Sequence, residues 1–267
     1  MAFRWIVLTR QPSRIALDGP PPTLGSIHPM PRAPRADASG HLYHVLNRAN
    51  RRATIFRKQQ DYEAFESVLA EALSKDEVEL FSYCLMPNHW HLVLRPKCDG
   101  GMSRFVQWLT LTHTQRYNAH YEIVGEGHLY QGRYKSFPIQ DDEHFLTVCR
   151  YVERNALAAG YCELPEDWRW GSLHRWKYGA AKEKALLSPW PIVRRSGWCQ
   201  HVAAKLSDKE QKQLDFSVKR GAPFGEENWM ESTARRFDLE MTMRPRGRPR
   251  KFEQRETTGY PVCQKGT

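Results

Sequence analysis

Residues 89–91 read His89-Trp90-His91, two imidazoles separated by one bulky apolar residue, in a run with β-like patterning from 78 to 94. Successive side chains of a strand point to opposite faces, so both histidines face one way while Trp90 turns into the core. Such a pair can offer two neutral nitrogen ligands to a divalent cation; it is equally the pattern of two half-exposed surface histidines. A second group lies further along the chain, in a segment of helical period where Phe145, Val148, Cys149, Val152 and Ala156 form one apolar stripe. Tyr151 falls off that stripe, on the same flank as Asn155 one turn later and His144 two turns earlier, so a phenol, a carboxamide and an imidazole share a face. A phenol placed there can serve as a nucleophile, or simply cover the edge of the stripe. Tyr117 is the rival phenol, but it recurs on the apolar side of its own helix and reads as core.

The elements that must position these groups follow from periodicity. Residues 41–48 alternate as a strand; Tyr62, Phe65, Val68, Leu69, Ala72 and Leu73 recur at helical spacing; residues 78–86 and the histidine strand form a hairpin about Pro87-Asn88. A second helix carries Met102, Val106, Leu109, His113 and Tyr117 and is expected to end at Gly125-Glu126-Gly127. Residues 133–139 form a short strand whose Pro138 suits a sheet edge, and a third helix opens with Asp141-Asp142-Glu143 and stops before Gly160. The order strand, helix, strand, strand, helix, strand, helix predicts an α+β fold, a mainly antiparallel sheet with packed helices.

Domain organisation follows composition. Residues 1–38, with Pro20-Pro21-Pro22 and no apolar period, read as a disordered lead-in in which Met30 is an alternative start; 39–178 hold the α+β domain; 179–236 read as a small helical appendage or linker; 237–267 form a basic tail. The chain has 267 residues, 40% of them hydrophobic, enough for one substantial core. A formal charge of +10 favours a polyanionic partner, nucleic acid first. Six cysteines without a C-x-x-C pair give neither a zinc knuckle nor a disulfide framework, and no stretch is long enough to span a membrane, so a reducing cytoplasm is the expected compartment.

Met86-Pro87-Asn88 before His89-Trp90-His91, then residues 127–135 reading Gly-His-Leu-Tyr-Gln-Gly-Arg-Tyr-Lys, then Tyr151-Val152-Glu153-Arg154-Asn155 with Gly160 beyond, together resemble the single-tyrosine HUH transposases, in the branch of the REP-associated tyrosine transposases. The resemblance covers about residues 42–176 and implies a ferredoxin-like, RRM-like HUH fold. It implies that His89, His91 and Asn155 ligate a divalent metal, magnesium or manganese, and that Tyr151 attacks DNA. The expected function is a transposase that nicks and rejoins single-stranded or hairpin DNA through a 5′-phosphotyrosine, as a monomer or homodimer; a DNA-binding regulator that keeps the fold without cutting is the alternative, and a nuclease using water a third. Ala156 departs from the family's frequent proline after the asparagine, a change at the helix rather than in the chemistry. His144 is an auxiliary candidate for relaying the tyrosine proton.

Candidate DNA contacts come from charge and type. Asn47, Arg48, Arg51 and Arg52 concentrate cations and an amide at the end of the first strand, and Arg133 and Lys135 interleave with aromatics. In the tail, Arg246-Gly247-Arg248-Pro249 resembles an AT-hook, whose arginines Arg246 and Arg248 would enter a narrow minor groove.

Overall fold

The computed structural model describes residues 36–75 and 77–244. Strands β1 (Leu42–Arg48), β2 (Val78–Met86), β3 (His89–Pro96) and β4 (Lys135–Ile139) alternate with helices α1 (Gln59–Leu73), α2 (Gly101–His120) and α3 (Glu143–Ala158) in the order the periodicity predicts. They form one sheet, ordered β2-β3-β1-β4, in which every neighbouring pair is antiparallel. The hairpin closes where predicted, with Met86 opposite His89 across Pro87-Asn88, and Pro138 sits on the edge strand, where its missing N–H costs no ladder bond.

Alternation on the strands builds two cores. Tyr43, Val45, Trp90, Leu92 and Leu94 face α1 and α2, meeting Phe65, Leu69, Met102, Val106 and Leu109. Leu42, Phe81, Val93 and Phe137 face the other way and meet Phe145, Val148, Cys149 and Val152 of α3. One boundary differs from expectation: α2 ends at His120, before the glycines. Glu122 takes a left-handed conformation at φ 57°, which breaks the helix, and the Tyr121 hydroxyl donates to Asp61 of α1 at 2.8 Å, which fixes the exit.

Beyond α3 come α4 (Ser172–Tyr178), α5 (Ala181–Lys184), α6 (Trp198–Ala203), α7 (Asp208–Arg220), α8 (Glu227–Arg236) and α9 (Glu240–Met243). The segment read from sequence as an appendage is part of the second core: Trp198, Val202, Leu214 and Phe224 are buried there beside α3 residues. Gly221, at φ 74°, ends α7 and turns the chain toward β4. There Phe224 bonds the outer edge of the strand, its N–H donating to Pro138 O and its carbonyl accepting from Gln140 N, each at 2.9 Å. The opposite edge is covered as well. On β2, Leu85 N donates to Trp170 O, Ser188 N donates to Leu80 O, and the indoles of Trp168 and Trp190 donate to the carbonyls of Leu85 and Phe81.

Candidate active site

The β1–β3 register places Arg48 opposite His89, Leu46 opposite His91 and His44 opposite Val93. His89 and His91 project from the sheet face that α3 covers, their ring centroids 5.0 Å apart, while Trp90 is fully buried on the other face and donates to the Tyr130 hydroxyl. Each site imidazole is held by Nδ1: that of His89 bonds Asn88 Oδ1 at 2.6 Å, and that of His91 bonds His44 Nε2 at 2.9 Å. Among the described residues no hydrogen bond engages Nε2 of either ring. Burial pulls the His89 pKa down to about 4, with the Arg48 charge adding to it, and holds His91 well below the ordinary range, helped by His44, His89 and Arg48. Both rings are therefore neutral at physiological pH, with lone pairs to offer.

Helix α3 brings the phenol to this pair. Its N-terminus is capped by Asp142, whose side chain accepts from His144 N. Its apolar stripe is the predicted one, with Phe145, Val148, Cys149, Val152 and Ala156 all buried. Tyr151 lies at the stripe's margin, half-buried, its ring centroid 5.8 Å from that of His91 and 6.1 Å from that of His44. One turn on, Asn155 Nδ2 donates to Tyr151 O at 2.9 Å, which leaves Oδ1 as the amide's available acceptor. Burial raises the Tyr151 pKa above its ordinary value and the nearby Asp215 carboxylate of α7 adds to this, whereas Asn155 and the Arg48 guanidinium oppose it.

The helix is locked in place by a buried carboxylate two residues past the phenol. Glu153 accepts from Ser172 Oγ at 2.7 Å and from Trp198 Nε1 at 2.7 Å, with Ser82 Oγ at 3.4 Å. Burial raises the Glu153 pKa, and the cation of Arg194 offsets part of this. Three donors from β2, α4 and α6 thus meet on one α3 side chain, which fixes the rotation of the helix and with it the direction of Tyr151.

Among the described residues no set of three His, Cys, Asp or Glu converges as a metal site. A cation at this position would rest on two imidazoles and a carboxamide. The donor set fits one: both imidazoles are neutral, and both are backed at Nδ1, the arrangement that orients metal-bound histidines.

The remaining candidates divide. Arg48 is half-buried at the site's rim, its Nε buried without a hydrogen-bond partner among the described residues. Arg51 and Arg52 are exposed on a 3₁₀ turn (Asn50–Arg52) and hold left-handed conformations at φ 53° and 57°, which costs backbone energy. The turn is clamped between two loops, with Ala49 N donating to Asn88 O and Asn50 N to Leu129 O. Arg133 and Lys135 are exposed as well. Asn47 is a correction. It lies on the strand face opposite the histidines, 5% exposed, its Oδ1 accepting from Arg48 N, so it presents nothing to a strand of nucleic acid. His144 is another. Seven residues place it about 10 Å along the helix from Tyr151; its Nδ1 bonds Asp142 at 2.7 Å and its ring packs on Phe224, away from the phenol. Tyr117 is buried, as its period predicts. Arg246 and Arg248 lie outside the described residues. Sequence reasoning missed His44, Glu153, Trp198 and Asp215.

Behind the sheet, His113 is a further buried neutral ring. Tyr130 accepts from Trp90 Nε1 and shares its hydroxyl with His113 Nδ1 at 2.7 Å; burial lowers the His113 pKa to about 4, against a raising effect of Asp61. The unfolded chain takes up protons below its ordinary histidine pKa near 6.5, the folded one does not. Stability is therefore complete above about pH 6.5 and falls as pH drops toward 4, by on the order of 3 kcal/mol for such a ring. Urea unfolding from pH 7 to pH 4 is expected to show this slope, reduced in His113→Gln; equal slopes for the two proteins would contradict it.

Comparison with known proteins finds similarity over the part of the chain that carries the site. The family model described as transposase IS200 like matches residues 37–155, from just before β1 to Asn155. A Haemophilus influenzae protein assigned as a REP-associated tyrosine transposase is 24% identical over 119 residues, 42% of this chain and 68% of that protein. Among solved structures, a REP-associated tyrosine transposase bound to a REP hairpin aligns at TM-score 0.47 and 15% identity, over 67% of this chain and 96% of its own. A protein from Deinococcus radiodurans R1 assigned as a transposase aligns at TM-score 0.34 and 18% identity, over 46% and 95% of the two chains. Residues 37–155 are thus similar to the IS200-like transposases, and the chain is similar to a REP-associated tyrosine transposase.

Proposed function

We propose that this chain cleaves and rejoins single-stranded or hairpin DNA through a covalent phosphotyrosine on Tyr151, with a divalent cation, magnesium or manganese, held by His89, His91 and Asn155. The observation that carries the reading is that Tyr151 and the histidine pair meet within one chain, the Tyr151 ring standing edge-to-face with that of His91 at 5.8 Å between centroids. The Tyr151 oxygen attacks phosphorus, the bond from phosphorus to the 3′ oxygen breaks, and a new bond joins the 5′ phosphate to the phenol oxygen. The proton lost by the phenol is balanced by the proton taken up on the departing 3′ oxygen. Since one phosphoester replaces another, a 3′-hydroxyl can reverse the step without ATP. A bound cation would withdraw charge from the scissile phosphate, and Arg48, at the rim with an unengaged Nε, supplies a second positive charge to the same group. The net charge of +10 and the exposed Arg51, Arg52, Arg133 and Lys135 support a nucleic-acid track leading to it.

The test is a hairpin oligonucleotide labelled on the fragment 3′ of the cut. The labelled fragment is expected to run attached to the protein in a denaturing gel when Mg²⁺ or Mn²⁺ is present, and the oligonucleotide to remain uncut and unattached when a chelator is added beforehand. Free 5′-phosphate ends without an attached intermediate would replace this reading with hydrolysis by water. Binding without any cleavage would leave a DNA-binding regulator.

A further inference from the structure

We propose that His44 is a positioning residue for His91: it fixes the proton and the orientation of that ring so that Nε2 faces the cation. This rests on the metal-bearing reading of the site given above. His44 sits mid-strand between Leu42 and Leu46, fully buried, its ring 4.8 Å from that of Phe137. A leucine or phenylalanine would suit those surroundings better than an imidazole. Among the described residues the ring makes one hydrogen bond, to His91 Nδ1 at 2.9 Å, and its own Nδ1 is buried without a partner. Its polarity therefore serves His91 alone.

The consequence follows from the valence of an imidazole. A neutral ring has one N–H and one lone pair, so His91 can ligate through Nε2 only when its proton sits on Nδ1. The acceptor for that proton is His44 Nε2. A half-turn of the His91 ring would put carbon against His44 and lose the bond, so the same contact selects the ring's orientation. His89 is held by the same logic, its Nδ1 against Asn88 Oδ1. The two ligands are each backed from behind, one by the turn and one by the adjacent strand.

The test uses the full chain and Mn²⁺ binding followed by electron paramagnetic resonance, with thermal melting and metal-free hairpin binding as controls. His44→Phe is expected to weaken Mn²⁺ binding by about 10- to 100-fold while hairpin binding in chelator stays unchanged. His44→Gln, whose amide reaches the place of the imidazole Nε2, restores most of the affinity; His44→Asn, too short to reach, does not. The Gln and Asn pair keeps the test intact should the Phe variant fold poorly. Equal Mn²⁺ affinity in the wild type, Gln and Asn proteins overturns the role of His44. His89→Ala separates the two levels: if it binds Mn²⁺ as well as the wild type does, or if neither binds, the metal site itself is wrong and the inference falls with it.

Discussion

Tyr151→Phe is expected to abolish the covalent protein–DNA product, by at least about 10³-fold, because among the described residues no other tyrosine ring packs on the histidine pair. The substitution keeps the ring that packs against His91 and His44 and removes only the hydroxyl. Stability should therefore change by less than about 1 kcal/mol, and hairpin binding should persist. Adduct formation with a labelled hairpin, read beside a urea unfolding curve, measures both. An undiminished adduct in the variant would move the nucleophile elsewhere. Tyr117, the other phenol considered from sequence, is a poor successor, since it is buried in the core behind the sheet.

Trp198→Ala carries the largest expected effect on stability. The indole is 2% exposed, stands edge-on to Trp190 at 5.2 Å and donates to Glu153 Oε2 at 2.7 Å. Truncating a buried tryptophan costs about 3–5 kcal/mol, and leaving a buried carboxylate short of a donor adds about 1–3 kcal/mol. Against a total stability of about 5–15 kcal/mol for a natural domain, the variant should be unfolded or close to it at 37 °C. Trp198→Phe, which keeps most of the ring but not the N–H, should fall between the two. Where it folds, adduct formation should slow as well, since Glu153 loses a bond that sets the rotation of α3. A Trp198→Ala protein that unfolds at the wild-type urea midpoint would show that the C-terminal helices do not share the core.

Much of this site was legible from residue order because it depends on local periods. A strand period of two put His89 and His91 on one face and Trp90 on the other; a helical period put Tyr151 and Asn155 on one flank of α3, off the apolar stripe. What the periods do not hold is register between strands distant in sequence. His44 meets His91 only because β1 and β3 pair with Leu46 opposite His91, and no pattern within 41–48 encodes that offset. Asn47 was misplaced for another reason: it adjoins the basic run of Arg48, Arg51 and Arg52 in sequence, but strand alternation turns it to the far face, where it is buried. His144 shares a helical flank with Tyr151, yet two turns of rise separate them and a flank is not a contact. The C-terminal helices were underrated for a different reason. Their anchors Trp198, Leu214 and Phe224 are scattered through short, polar elements, and only the fold shows them converging on α3. The carboxylate of Glu153 could have been suspected, since it falls near the apolar stripe of α3, where a charged residue needs buried partners.

The covering of both outer strands has a consequence for the behaviour of the chain in crowded solution. An open strand is a template on which other polypeptides can add, the route by which many four-stranded sheets polymerise or clump. Here Phe224 on one side, and Trp168, Trp170, Ser188 and Trp190 on the other, already occupy the positions an incoming strand would need. Two copies of this molecule cannot join by running one sheet into the next without first peeling those segments away. Any pairing of copies must use helices or loops, and two of the residues that give this protection from fibre formation, Trp190 and Phe224, also pack on Phe145 and His144 of the tyrosine helix.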